Sequence, residues 1–505
     1  MTAFLDALQL VLTLEVLGVV ALSSAFGLFV GATPGLSATM AVALLVPITF
    51  FLSPVAAIAA IVSCSAMAIF AGDIPGALLR IPGTPASAAY VEELYQLGRQ
   101  GRLEAGLGMA MAASACGGII GTLALVLAAP QLAAAALNFS SYEYFWLALL
   151  GLSCATLVAG PDPVKGAISL LLGLFLATIG LDIVTGQPRY TFGLIDLQAG
   201  VSLIAVLIGA FAIAELLRKT TQPAEPLVAA PPVRLSFVRG QAGAVWAEKG
   251  GILRGSVLGT LIGALPGAGA DIAAWIGYAV TKRLSRTPER FGTGHLEGVA
   301  GAASANNSAL SGSYVPALVF GIPGDSITAI VVGVLILKGI QPGPLVFVTS
   351  PDLVHAIYVV FFLANLLILP LGFLAILAGR RILAIAPASL YPPILVLCIL
   401  GTFAINNSLF DLWTLGVIGV LVWIMEENGY PAAPLVLGLV LGRIVEETFM
   451  SSMIKADGDL AMFFSRPVAA VLGVLTILVW TFPFLRAAAR AARSRRAPAA
   501  ANQDR

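Results

Sequence analysis

Long stretches without an ionisable side chain constrain this sequence more than any other feature. No residue is charged at neutral pH between Glu15 and Asp73, and none between Glu104 and Glu143. Only 10% of the residues are charged and 59% are hydrophobic, whereas about a quarter of the residues are charged in a soluble domain. Because a membrane-spanning helix needs about 20 apolar residues, we predict an all-α integral membrane protein with about 10–12 transmembrane helices. A β-barrel is excluded, since the runs are continuously apolar rather than alternating.

Proline-glycine pairs interrupt these apolar runs at matching places in the two halves of the chain. The four pairs are Pro34-Gly35, Pro82-Gly83, Pro266-Gly267 and Pro323-Gly324. The third repeats the first after 232 positions, and the fourth repeats the second after 241 positions. Proline removes a backbone donor and glycine permits an open backbone, so each pair predicts a broken or re-entrant helix. The duplication predicts two repeats, which we expect to be inverted in the membrane; parallel repeats are the alternative.

Basic residues divide the chain into segments. We expect residues 1–217 to form the first membrane repeat and residues 250–487 the second. Residues 218–249 hold five Lys or Arg and four prolines, which predicts a linker, and residues 488–505 form a basic tail. Both are expected to be cytoplasmic. Inverted repeats then require one additional helix, for which Pro467–Leu485 is the candidate. Small residues crowd Ala105–Gly121 and predict close helix packing there.

The helix breaks predict a substrate site. Freed backbone groups in a membrane must face protein or a water-filled cavity, and the amides of half-helix N-termini attract anions. The predicted substrate-binding residues are Pro34, Gly35, Ser37, Arg80, Gly83, Thr84, Ser87, Pro266, Gly267, Gly269, Pro323, Gly324, Ser326 and Thr328. A charged Arg80 at membrane depth must pair or bind something, and its guanidinium suits a carboxylate. The alternative is an Arg80 at the membrane interface that either snorkels or pairs with Asp73.

A second set of polar residues predicts a site for a coupling ion. Carboxylate, amide and hydroxyl oxygens suit a hard cation such as Na⁺, and no other metal is expected. The predicted residues are Ser63, Ser65, Asp73, Asn306, Asn307, Ser308 and Asp325. Asp271 is a further candidate for cation or proton coupling. Hydrogen bonding between helices, or loop capping by the aspartates, is the alternative explanation for each of them.

These motifs together resemble the large membrane subunit of the tripartite tricarboxylate transporters. The similarity extends over most of the chain and includes Gly31–Gly35, Ile81–Ser87, Gly263–Gly267, Ala305–Asn307, Gly321–Ser326, Gly339–Pro344, Leu437–Gly442 and Arg466-Pro467. The resemblance implies a multi-pass permease of the bacterial inner membrane that takes up carboxylates with an ion gradient. It also implies two protein partners, a small membrane subunit of about four helices and a periplasmic solute-binding protein. Two places depart from many members of the family: Ala302-Ala303 replace Pro-Glu, and Arg80 replaces an uncharged polar residue.

We therefore predict a subunit of an ion-coupled secondary transporter that imports small tricarboxylates or dicarboxylates by alternating access. It would lie in the lipid bilayer and use Na⁺ or H⁺ without a further cofactor. It would not be an enzyme and would not bind nucleic acid. Replacing Arg80 or Asn306 is predicted to abolish uptake without loss of membrane expression.

Two alternatives to this prediction remain open. One is a stand-alone carrier or channel for small anions. The other, more remote, is an intramembrane aspartyl protease that would use Asp73 and Asp271. Against the protease, the glycine-aspartate spacing from Gly267 to Asp271 is one residue too long, and no tyrosine precedes Asp73.

Overall fold

The computed structural model describes residues 2–158, 162–221 and 241–481. The basic tail and residues 222–240 of the expected linker lie outside the described residues. The helices of the first half are α1 (Thr2–Val11), α2 (Leu14–Ala32), α3 (Ala38–Thr49), α4 (Pro54–Ala71), α5 (Asp73–Leu79), α6 (Val91–Arg99), α7 (Leu103–Ala136), α8 (Ser141–Val158), α9 (Pro163–Ala177), α10 (Leu203–Ile208) and α11 (Ala214–Thr221). Two short strands, β1 (Gly180–Leu181) and β2 (Pro188–Arg189), form an antiparallel hairpin between α9 and α10.

The second half is also helical. Its helices are α12 (Gln241–Ala247), α13 (Lys249–Gly263), α14 (Gly269–Leu284), α15 (Leu296–Phe320), α16 (Ser326–Leu337), α17 (Val346–Thr349), α18 (Pro351–Ile382), α19 (Tyr391–Asn406), α20 (Leu409–Glu427), α21 (Ala432–Lys455) and α22 (Pro467–Thr481). Each proline-glycine pair lies in a break: between α2 and α3, after α5, between α13 and α14, and between α15 and α16.

Within the described part of the chain, five helical segments are long and apolar enough to cross a membrane: α2, α4 together with α5, α7, most of α18, and α20. Five further apolar helices of 10–17 residues are α3, α9, α16, α19 and α22. The last of these begins at Pro467, where the additional helix was expected. The described part of the chain is therefore that of a multi-pass membrane protein, all-α apart from the small hairpin. This confirms the all-α membrane class that was predicted, whereas the inverted repeats stay a prediction.

Glycines bring helices into backbone contact at equivalent places in the two halves. A Cβ added at Gly31 of α2 would lie 2.4 Å from the carbonyl oxygen of Ala68 in α4. A Cβ added at Gly263 of α13 would lie 2.2 Å from the carbonyl oxygen of Ala309 in α15. The glycines are 232 positions apart and their partners 241, the same offsets that relate the proline-glycine pairs. We call these two contacts the glycine crossings, since only a glycine fits at either.

Each half also packs its longest helix against the other half. The first half contributes α7, which lies along α15, and the second contributes α18, which lies along α4. The small-residue face of α7 makes the contact, with Gly117 and Gly121 against the backbone of Ser304 and Ser308. This confirms the close packing predicted for that stretch. The two halves are therefore interlocked rather than merely adjacent.

A buried carboxylate joins the halves through the loop that precedes α15. Glu93 of α6 is fully buried. It accepts hydrogen bonds from the backbone N–H groups of Gly292, Gly294 and His295, at 2.6–2.8 Å, and from the Tyr278 hydroxyl at 2.8 Å. The loop thus surrounds the carboxylate as a nest of backbone amides surrounds an anion.

We expect Glu93→Gln to lower the free energy of unfolding by about 2–3 kcal/mol. The glutamine amide places an N–H₂ group where an oxygen accepted hydrogen bonds, and hydrogen bonds to a charged group contribute about 1.5–3 kcal/mol. Thermal unfolding of the detergent-solubilised protein measures the effect. Glu92→Gln is the matched control, because Glu92 is partly exposed and pairs with Arg80 on the surface. Equal melting temperatures for the two variants would contradict the stabilising role of Glu93.

Candidate functional site

All four proline-glycine turns contribute residues to one cavity of about 440 Å³. Ser37 follows the first pair, Thr84 follows the second, Gly267 belongs to the third and Asp325 follows the fourth. Residues from both halves of the chain therefore line the same space, as expected for loops that form a common site.

The first turns of four helices border this cavity. Their lining residues are Ser37–Thr39 of α3, Gly269–Ile272 of α14, Asp325–Ile327 of α16 and Pro431–Ala433 of α21. The first amides of a helix lack partners within the helix and carry a partial positive charge. The cavity is thus surrounded by the positive ends of four helix dipoles.

Two of these four helix ends are capped by side chains, and two are not. Ser37 accepts a hydrogen bond from the N–H of Met40 at 3.1 Å, and Asp325 accepts one from the N–H of Thr328 at 2.8 Å. By contrast, α14 and α21 begin without a side-chain cap. The starts of α14 and α21 are therefore the backbone groups in this cavity best suited to an anion.

Charged side chains from distant parts of the sequence also line the cavity. Arg218 forms an ion pair with Glu215, and a carboxylate oxygen of Glu426 lies 3.9 Å from the Arg218 guanidinium. Asp271 lies close to Asp325, and next to the backbone of the loop that follows the second proline-glycine pair. Among the described lining residues Arg218 is the only basic one. The side chains thus contribute four carboxyl groups against one guanidinium.

Arg80 lies outside the cavity, contrary to its predicted place in the substrate site. Its side chain is 60% exposed, and its Nε donates a hydrogen bond to Glu92 at 2.8 Å. Its guanidinium lies over the ring of Tyr95. The residue ends α5 in a left-handed conformation, with φ of 62°. Arg80 therefore pairs at the surface, with Glu92 rather than with Asp73.

The other predicted substrate residues divide into a lining group and a supporting group. Those that line the cavity are Ser37, Thr84, Gly267, Gly269 and Ser326. Those that do not are Pro34, Gly35, Gly83, Ser87, Pro266, Pro323, Gly324 and Thr328. Most of the supporting residues lie within two residues of a lining residue. The helix breaks therefore predicted which loops form the cavity, but not which residues of each loop line it.

Hydroxyl groups in the supporting group fix the second and fourth turns. Ser87 and Thr84 exchange three hydrogen bonds, two from backbone N–H groups to hydroxyls and one from the Ser87 hydroxyl to the Thr84 carbonyl, at 2.8–3.1 Å. Thr328 donates from its hydroxyl to Asp325 and accepts from the Asp325 N–H, which completes a capping box. These contacts hold Thr84 and Asp325 at the cavity.

The predicted ion-binding residues also divide. Asn306 and Asp325 line the cavity. The hydroxyls of Ser63, Ser65 and Ser308 donate to carbonyls of the preceding turn of their own helices, at 2.6, 2.7 and 3.2 Å. Serine hydroxyls in helices commonly bond in this way, so the alternative of ordinary hydrogen bonding fits the three serines, although within one helix rather than between helices.

Glu215, Arg218 and Glu426 are the charged lining residues that the sequence interpretation missed. It placed Arg218 at the start of the linker, whereas α11 continues to Thr221. It assigned Glu426 to a solvated loop or a helix end, and Glu426 does lie in the last turn of α20, but beside Arg218 at the cavity. The available signal was the three-residue spacing of Glu215 and Arg218 at the end of an apolar run, which favours an ion pair on a helix.

Broken helices whose ends meet at a polar cavity inside a membrane protein are the architecture of secondary transporters. Residues 17–437 match the family described as the Tripartite tricarboxylate transporter TctA family, and the chain belongs to that family. It is therefore a membrane component of a tripartite transporter, which implies partner subunits and a binding protein.

Two proteins of Agrobacterium vitis are similar to this chain. One, described as a 52.8 kDa protein in the TAR-I ttuC' 3'region, is 36% identical over 470 residues, which cover 91% of this chain and 92% of the relative. The other, described as a protein in the TAR-II ttuC' 3'region, is 38% identical over 231 residues, which cover 45% of this chain and 96% of the relative. No solved structure matches the chain.

Proposed function

We propose that this protein carries small carboxylates, of the tricarboxylate or dicarboxylate type, across the bacterial inner membrane. The carboxylate binds in the 440 Å³ cavity. The convergence of four helix N-termini on that cavity carries this proposal, because their amides and dipoles attract carboxylate oxygens. The uncapped starts of α14 and α21 supply free amides, and Arg218 supplies a guanidinium whose geometry suits a carboxylate.

Uptake is coupled to Na⁺ or H⁺ by symport. The cavity already contains Asp271 and Asp325 close together, in addition to Glu215 and Glu426. An anionic substrate is repelled by these carboxylates as long as they are ionised and unpaired. Cations or protons that enter with the substrate offset this repulsion, so the composition of the cavity favours co-transport over the passage of an anion alone.

The two halves act as inverted repeats that expose the cavity alternately to the two sides of the membrane. The shared offsets of 232 and 241 positions, in the proline-glycine pairs and in the glycine crossings, support the repeat. The linker and tail are cytoplasmic. A periplasmic binding protein delivers the carboxylate on the opposite face, and a small membrane subunit of about four helices completes the complex.

Uptake into vesicles tests this function. The protein is reconstituted with its two partner proteins, and a panel of labelled tricarboxylates and dicarboxylates is offered with and without inward gradients of Na⁺ or H⁺. We expect at least one carboxylate to accumulate only when the binding protein and one of the gradients are present. Accumulation by this subunit alone would favour a stand-alone carrier. No accumulation of any carboxylate by a correctly folded complex would contradict the proposal.

A further inference from the structure

Three buried polar side chains meet beside the 440 Å³ cavity that is proposed to bind the carboxylate. They are Asp73 at the start of α5, Tyr90 just before α6, and Asn306 in the middle of α15, and each is at most 1% exposed. The Tyr90 hydroxyl lies next to the carboxylate of Asp73 and next to the amide of Asn306. Asn306 also lines the cavity. We call these three side chains the polar triad.

Several polar atoms of the triad make no hydrogen bond of normal geometry. Both carboxylate oxygens of Asp73, the hydroxyl of Tyr90, and both amide atoms of Asn306 lack a hydrogen-bond partner among the described residues. The three side chains are thus neighbours without forming hydrogen bonds of normal geometry to one another. Buried polar groups are nearly always paired, and an unpaired ionised carboxylate at membrane depth is among the least favourable groups in a protein.

We propose that the polar triad binds Na⁺ as the coupling ion; this inference rests on the proposed function. A carboxylate, a phenolic hydroxyl and an amide carbonyl are hard oxygen ligands. Their single negative charge matches a monovalent cation, whereas Ca²⁺ takes a larger set of oxygen ligands and Mg²⁺ keeps several of its waters. One Na⁺ can contact an oxygen of each of the three side chains.

Asn306 gives the triad a direct route to the substrate. Its side chain adjoins Tyr90 and also borders the carboxylate cavity. A Na⁺ bound to the amide oxygen fixes the orientation of that amide and turns its N–H₂ group away from the ion. Since binding free energies are reciprocal, a carboxylate that prefers this orientation strengthens Na⁺ binding to the same extent.

Equilibrium binding of ²²Na⁺ to the purified full-length protein tests the inference. We expect saturable binding to the unaltered protein, and at least tenfold weaker binding after Asp73→Asn or Tyr90→Phe. Tyr90→Phe removes only a hydroxyl, so it tests the site even if Asp73→Asn fails to fold. Ser256→Ala is the control, because the Ser256 hydroxyl is equally buried but donates to the Ile252 carbonyl of its own helix. This control is expected to bind ²²Na⁺ as the unaltered protein does.

The outcomes separate this inference from the proposed function. Unchanged ²²Na⁺ binding in both triad variants overturns the triad as the site. Absence of saturable ²²Na⁺ binding to a protein whose carboxylate uptake follows a proton gradient also overturns it, while the proposed function stands. Loss of ²²Na⁺ binding in Tyr90→Phe, with an unchanged melting temperature, supports the inference. Na⁺ binding at the triad without uptake of any carboxylate contradicts the proposed function instead.

Discussion

Gly267→Ala is expected to reduce carboxylate uptake about tenfold or more, while the protein still reaches the membrane. A tenfold loss corresponds to a binding free energy weakened by roughly 1.4 kcal/mol. Gly267 has a left-handed backbone, with φ of 82°, and a Cβ added there would lie 2.3 Å from the Cα of Ala155 in α8. Its N–H also donates to the carbonyl of Gly324 at 2.8 Å. An alanine therefore forces the third turn away from α8 and from the fourth turn, which displaces two walls of the cavity. Initial rates of uptake, divided by the amount of protein in the membrane, measure the loss.

Gly339→Ala is the matched control for this prediction. Gly339 has a similar left-handed backbone, with φ of 74°, but no heavy atom lies within 4 Å of an added Cβ among the described residues. The left-handed conformation costs an alanine about 1–2 kcal/mol in both places, whereas the steric clash occurs only at Gly267. Uptake by Gly339→Ala should stay close to that of the unaltered protein. An equal loss in both variants would mean that the contact of Gly267 with α8 does not matter.

Arg218→Ala is expected to raise the KM for carboxylate uptake by about 10–100-fold. Hydrogen bonds to charged groups contribute about 1.5–3 kcal/mol, and each 1.4 kcal/mol corresponds to a tenfold change in affinity. Removal of the guanidinium also leaves Glu215 and Glu426 without their cation, so the cavity repels an anion more strongly. The KM is measured at a saturating concentration of the binding protein.

Arg80→Ala distinguishes the structural assignment from the sequence-based one. Arg80 is exposed and pairs with Glu92, so we expect its replacement to leave the KM within about twofold, as for most exposed ion pairs. The sequence alone predicted that this replacement abolishes uptake. Loss of uptake in Arg80→Ala together with normal uptake in Arg218→Ala would reverse the assignment of the cavity's arginine.

The location of the cavity could be predicted from the sequence because helix breaking is a local property. Proline and glycine interrupt a helix whatever surrounds them, and the duplication indicated which breaks belong together. Ser37, Thr84 and Asp325, each within two residues of a proline-glycine pair, consequently line the cavity as expected. The packing of α7 was predictable for a similar reason, since a run of small residues has few other uses in a membrane helix.

The charged residues of the cavity could not be predicted because their positions depend on tertiary packing. Arg218 reaches the cavity only because α11 packs against α20, which brings Glu426 next to it. Arg80 points to the surface because its own backbone is left-handed at the end of α5 and because its side chain pairs with Glu92, twelve residues further along the chain. For Ser63, a hydroxyl free to bind an ion and one bonded to its own helix have the same sequence, so only the structure distinguishes them.

The two glycine crossings limit how this protein can change shape. A rotation of α2 about its own axis that brought Val30 or Ala32 to the place of Gly31 would make a side chain collide with the backbone of α4. The same restriction applies to α13 and α15 at Gly263. In the proposed alternating access, the two helices of each pair are therefore expected to move together. Relative movement is instead expected at contacts that can break and form again, such as the ion pairs of Arg218.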